Sequence, residues 1–98
     1  MMPEELNNFL DYTKDINGYL TALSVNFVGL DHKLAPYQSF IGKVGREDVD
    51  PIDFYECITE LYSVLGVMMI AYPETEKEIL PCIKVIDHLR NMFRAKRD

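Results

Sequence analysis

Apolar residues recur at alternating steps of three and four through the first third of the chain. This spacing constrains the fold more than any other feature of the sequence. The seam consists of Leu6, Phe9, Thr13, Ile16, Leu20, Leu23, Phe27, Leu30 and Leu34. A heptad pattern of this kind lines one face of a helix. Pro3 suits a first helical turn, so the pattern predicts one long helix over about residues 3–31.

Asn17-Gly18 is a turn signal inside this seam. The apolar spacing continues through Gly18 without a slip, so we expect a continuous helix that bends there at most. The alternative is a break at Gly18, which would give four helices instead of three.

Residues 35–50 contain Pro36, Gly42, Gly45 and a charged tract. This composition indicates a connection with at most one short helical turn after Pro36. Asp50-Pro51 then starts a helix, because Asp50 can accept a first-turn N–H and proline is favoured at the first helical position.

Tyr72-Pro73 ends this second helix, because the residue before a proline is pushed out of helical geometry. Thr75 and Glu78 have the spacing of a capping box, and Pro81 either bends the third helix or starts it. The predicted second and third helices span about residues 51–72 and 75–96.

With 98 residues, the chain is long enough for one small domain and too short for two. We therefore predict an all-α fold, a small antiparallel bundle of three long helices in a single domain over residues 1–98. The second helix has the seam Phe54, Ile58, Leu61, Leu65, Met68 and Tyr72. It also carries a second stripe (Tyr55, Tyr62, Met69) and a third apolar set (Cys57, Val64, Ala71).

A helix that is apolar nearly all round should have a face that two other helices do not cover. A second copy of the chain, another protein or an apolar ligand would cover such a face. The residues predicted to bind a protein partner are Tyr55, Tyr62 and Met69, with Tyr12 and Tyr19 as weaker candidates. The sequence thus favours a small acidic interaction module that self-associates, such as a regulator, adaptor, immunity protein or chaperone.

Asp53, Glu56 and Glu60 share one side of the second helix. Three such oxygen ligands could hold Mg²⁺, so a Mg²⁺-dependent phosphohydrolase is the enzymatic alternative. No second acidic set faces them, and a solvated acidic face explains them more simply. Because no motif for nucleophilic catalysis or phosphate binding occurs, the sequence favours a non-enzyme without a cofactor. A carrier of an apolar small ligand is the third hypothesis.

Sixteen acidic against ten basic side chains give a net charge of −6, which argues against a nucleic-acid partner. Basic residues near the C-terminus are stabilised by the negative end of the helix dipole. They could also contact an acidic surface of a partner. They are Lys84, Arg90, Arg94, Lys96 and Arg97.

The first residues lack the features of a secretory signal, and the uncharged run Leu61–Pro73 is too short to span a bilayer. Cys57 and Cys82 show no metal or redox spacing, which predicts two buried thiols. We expect a cytoplasmic protein without a membrane partner.

Overall fold

A computed structural model of the chain describes residues 3–44, 46 and 49–97, and the side chains of residues 8–44, 46 and 49–94. Every regular element in these residues is helical. The elements are α1 (Pro3–Asn26), α2 (Asp31–Lys43), α3 (Pro51–Ala71), a 3₁₀ turn (Pro73–Thr75) and α4 (Glu76–Arg97). The predicted all-α fold class is confirmed.

Helix α1 runs through Gly18 without a break, as the heptad spacing predicted. It ends at Asn26, earlier than expected. The chain then turns over residues 27–30, where Gly29 has φ 98°, a left-handed conformation that glycine adopts without strain. The single helix predicted over about residues 3–31 is therefore wrong in its last turn.

Residues 31–43 form a helix, whereas the sequence predicted a connection over 35–50. Pro36 lies inside α2, where it removes one hydrogen bond. The carbonyl that loses its donor belongs to His32, an exposed residue in the first turn, where water can replace the bond. Four α-helices result in the described residues, but the division falls at 27–30 and not at Gly18.

Helix α3 begins as predicted. The backbone N–H of Ile52 donates to Oδ1 of Asp50 at 2.8 Å, and Pro51 occupies the first helical position. The start of α4 differs from the predicted capping box. The hydroxyl of the fully buried Thr75 donates to the Tyr72 carbonyl at 2.7 Å, and Oε2 of Glu78 is buried without a hydrogen-bond partner. Helix α4 continues through Pro81.

All four helices contribute to one hydrophobic core. The predicted seams of the first and second helices supply much of it, and Ile41 of α2, a region predicted as a connection, also contributes. The buried apolar residues are Ile16, Leu20, Leu23, Leu30, Leu34, Ile41, Phe54, Ile58, Leu61, Leu65, Met68, Ile79, Cys82, Ile86 and Leu89. Tyr72, predicted as the last seam position of the second helix, is 42% exposed. Leu6 lies outside the described side chains.

Helix α4 lies between α1 and α3 and runs antiparallel to both. Tyr12 of α1 packs edge-on against His88 at 5.1 Å between ring centroids. On the other side, the Arg90 guanidinium lies 4.7 Å from the centre of the Tyr62 ring of α3. Helix α2 packs beside α1, where Nε2 of Gln38 donates to the Thr21 hydroxyl at 3.0 Å.

Candidate interaction surface on helix α3

Three sides of α3 remain outside the core. Because successive residues of a helix differ by about 100° in direction, each side collects residues three, four and seven apart. We call Tyr55, Tyr62 and Met69 the tyrosine edge, which faces α4. Asp53, Glu56 and Glu60 form the acidic edge, which faces α2. The outer face lies between these edges, opposite the core, and contains Ile52, Thr59, Ser63, Gly66, Val67 and Ile70.

The tyrosine edge is partly covered by α4. Arg90 lies over the Tyr62 ring, a cation–π arrangement, and the Tyr55 and Phe93 ring centroids are 6.1 Å apart. A hydrogen bond from Arg94 lowers the pKa of Tyr55, with the positive charges of Arg94 and Arg90 acting in the same direction. Intramolecular contacts thus occupy much of the predicted partner-binding stripe.

The other predicted partner residues lie on a different helix. Tyr12 and Tyr19 of α1 are half-buried against the core, and Tyr12 contacts α4 through His88. Helix α4 therefore separates them from Tyr62, and the five candidates do not form one surface within this molecule.

The acidic edge borders a shallow cavity of about 340 Å³ between α2 and α3. Its three carboxylates are exposed, and no described residue forms an ion pair with them. Burial, reinforced by the charge of Glu60, raises the pKa of the Cys57 thiol to about 11. The same two causes raise the pKa of Tyr37 across the cavity. This side of α3 therefore carries a negative field that nothing in the described chain neutralises.

The α2 side of this cavity consists of Pro36, Tyr37 and Phe40, which are poor ligands for Mg²⁺. Among the described residues, no group of three or more His, Cys, Asp and Glu side chains is placed to hold a metal ion. The carboxylates of the acidic edge thus supply charge, and the geometry gives the phosphohydrolase hypothesis no support.

The outer face exposes large apolar side chains. Ile52 is 58% exposed, Val67 66% and Ile70 83%. Between them, Thr59, Ser63 and Gly66 are small, so another helix could approach closely. None of these residues was predicted from the sequence to bind a partner. These residues lie opposite the buried seam, in a helix that has almost no polar residues after Glu60. That pattern could have been used to predict them.

No protein similar to this chain was found. Neither family models, nor curated proteins, nor solved structures give a match. The function must therefore be argued from the geometry of the chain itself.

In length and composition, α3 is apolar enough to cross a membrane, although only 28% of the stretch that qualifies is buried against the other helices. Core helices of soluble proteins share this length and composition. The low buried share does show that much of the apolar character of α3 faces outward.

Two further surface cavities are shallow. One of about 360 Å³ lies between α1 and α2, with Leu10 and Ile41 as well as Lys14, Asn17 and Arg46 at its walls. The other, about 320 Å³, lies beside the outer face between Lys33 and Val67. Sites for small apolar ligands are typically deep enough to enclose most of the ligand, so neither cavity favours the carrier hypothesis.

Proposed function

We propose that this protein is a helical protein–protein interaction module that binds through the outer face of α3. One observation carries the proposal. Ile52, Val67 and Ile70 stay exposed on the side of α3 opposite the core. Val67 and Ile70 are neighbours near the end of α3, and Ile52 lies at its start, about 27 Å away along the same side. Exposed apolar side chains with charged residues at their margin are typical of a binding face.

Burial of this face supplies free energy for binding. Fully burying an exposed Val or Ile side chain contributes about 1.5–3 kcal/mol, and the three large side chains are each more than half exposed. The margin also suits an interface, because tyrosines and arginines are enriched among the residues that dominate binding energy. Tyr62 and Arg90 provide both on the side of α4.

Photo-crosslinking in the cells that make the protein tests this function. A photoreactive amino acid placed at Ile70 should give a crosslinked protein product, because that side chain lies within the proposed interface. The matched control is the same amino acid at Asp15, which is exposed on α1, a helix that packs mainly against α2 and α4. Equal labelling at both positions, or none at Ile70, would contradict the proposal.

A further inference from the structure

We propose that the outer face of α3 binds a second copy of this chain, with the two α3 helices parallel about a two-fold axis that runs along them. In this arrangement Glu56 and Glu60 of one copy face Arg94 and Arg90 of the other. The inference rests on the proposed function and names the partner and its orientation.

Unmatched charges of opposite sign border the outer face. Among the described residues, no ion pair engages Glu56, Glu60, Arg90 or Arg94. Arginine keeps donors free when it stacks on a ring or binds one hydroxyl, because its guanidinium has five N–H groups. Each molecule therefore presents free carboxylates on one side of the outer face and available guanidinium groups on the other.

The contacts with the tyrosine edge fix where the arginines lie along α3. Arg94 interacts with Tyr55, and Arg90 lies over Tyr62. Glu56 and Glu60 lie within the same stretch of α3, on the opposite edge. The acidic and basic groups are therefore at similar heights along the helix.

Symmetry then selects the orientation. A two-fold axis along α3 brings the acidic edge of each copy to the arginines of the other at the same height, and it does so twice, since a two-fold interface is self-complementary. An axis across the helices instead places the acidic edge opposite the apolar half of the same side, near Val64 and Val67. That second arrangement offers the carboxylates only Lys33, which lies beside Val64 and Val67. The parallel arrangement offers them both Arg90 and Arg94, so charge complementarity favours the parallel one.

The apolar residues also suit this axis. Side chains near a parallel two-fold axis meet their own copies, so Ile52 packs on Ile52 and Ile70 on Ile70 of the partner. The small residues Thr59, Ser63 and Gly66 between them allow the helix axes to approach to about 8–10 Å.

The interface would run along the whole of α3, which at 21 residues is about 31 Å long. A stable interface of standard size buries about 800 Å² on each partner, so the contact would include both edges as well as the outer face.

Cysteine crosslinking tests the orientation. In a Cys57→Ser background, Ile70→Cys alone and Ile52→Cys alone should each give a disulfide-linked dimer under mild oxidation. Val25→Cys is the control, because Val25 is 75% exposed on α1 and lies away from α3. Crosslinking of only the mixed Ile52→Cys and Ile70→Cys sample would show the antiparallel arrangement and overturn the proposal.

Charge reversal gives an independent test that does not depend on new thiols. Glu56→Arg and Arg94→Glu change exposed residues, so both variants should fold. Each alone should weaken self-association roughly tenfold or more, because like charges then face each other. An equimolar mixture of the two should recover wild-type affinity, since opposite charges face each other at both contacts of the mixed dimer. Failure of the mixture to recover would overturn the pairing.

Light scattering separates this inference from the proposed function. The wild-type chain should approach twice 11.4 kDa as concentration rises. A mass of one chain at all concentrations would overturn the second copy as partner. If photo-crosslinking at Ile70 then joined the chain to a different protein, the interaction module would still stand.

Discussion

The two flanks of α3 differ in how the rest of the molecule covers them. On one flank, α4 is 22 residues long and brings Arg90 and Arg94 against the tyrosine edge. On the other flank, α2 has only 13 residues and leaves a cavity beside the acidic edge. Apolar residues alone did not distinguish these flanks, because Tyr62 and Val64 look equally available in the sequence. The length and the side chains of the neighbouring helix determine how well each flank of α3 is covered.

The largest expected effect separates the core side of α3 from its outer face. Leu61 is fully buried, so Leu61→Ala should lower the free energy of unfolding by about 2–5 kcal/mol through lost burial and a cavity. Val67→Ala should change it by less than about 0.5 kcal/mol, because Val67 is 66% exposed. Urea unfolding followed by circular dichroism, at a concentration low enough to keep the chain monomeric, measures both. Equal effects would mean that the outer face is part of the intramolecular core.

The core side of α3 could be predicted from the sequence, since the seam that includes Leu61 and Leu65 is buried as expected. The turn at Gly29 could not, because Leu30 and Leu34 keep the three-and-four spacing across it while the chain reverses. Gly18 carried the stronger turn signal, yet it lies inside α1 with open space around it. A glycine inside a helix costs about 1 kcal/mol relative to alanine, which is too little to break α1. Local propensity identified the glycines but not which one turns the chain.

The candidate surface was predicted in part. An apolar excess on α3 was correctly expected, and the outer face is where it is exposed. The tyrosine edge was proposed as the binding stripe because Tyr55 and Tyr62 lie off the seam, but the cover by Arg90 and Arg94 depends on the register between α3 and α4. A single sequence contains no direct information on that register.

The second prediction compares the thiols of the α2 flank and of the core. Burial and the charge of Glu60 raise the pKa of Cys57 to about 11, and burial raises that of Cys82 to about 12. The thiolate is the reactive form, although a more basic thiolate is also a stronger nucleophile. Alkylation of Cys57 at pH 8 should therefore be roughly 10-fold slower than that of a thiol with pKa 9, and alkylation of Cys82 slower still. Mass spectrometry over time measures both rates. In denaturant the two thiols should react alike, and faster labelling of Cys82 in the native protein would contradict the prediction.

The third prediction tests whether Arg90 of α4 stabilises the fold by packing over Tyr62 of α3. Arg90→Ala removes the cation over the Tyr62 ring, 4.7 Å from its centre, and should destabilise the fold by about 0.5–2 kcal/mol. Lys33→Ala changes an α2 residue at the other cavity, the one beside the outer face near Val67. It is the matched control and should stay within about 0.5 kcal/mol. Thermal unfolding of both variants measures the difference. If the two substitutions cost the same, α4 does not cover α3 better than α2 does.

The smallest expected effect joins the flank comparison to the proposed dimer. A hydrogen bond from Arg94 lowers the pKa of Tyr55 because the guanidinium favours the phenolate. Arg94→Gln should therefore raise that pKa towards 10, and Glu56→Gln should leave it unchanged in the monomer. Ultraviolet titration of the phenolate, with Tyr55→Phe identifying the signal, measures the shift.

Dimerisation should act on the same group. In the parallel dimer, Glu56 of the partner shares the charge of Arg94, so the pKa of Tyr55 should rise as the protein concentration increases. In the Glu56→Gln variant this dependence on concentration should disappear, because the neutral amide competes poorly for the guanidinium. A Tyr55 titration that stays the same at every concentration, in a sample that light scattering shows to be dimeric, would place Arg94 outside the interface. The charged edge would then belong to the monomer alone, and the flank covered by α4 would play no part in binding.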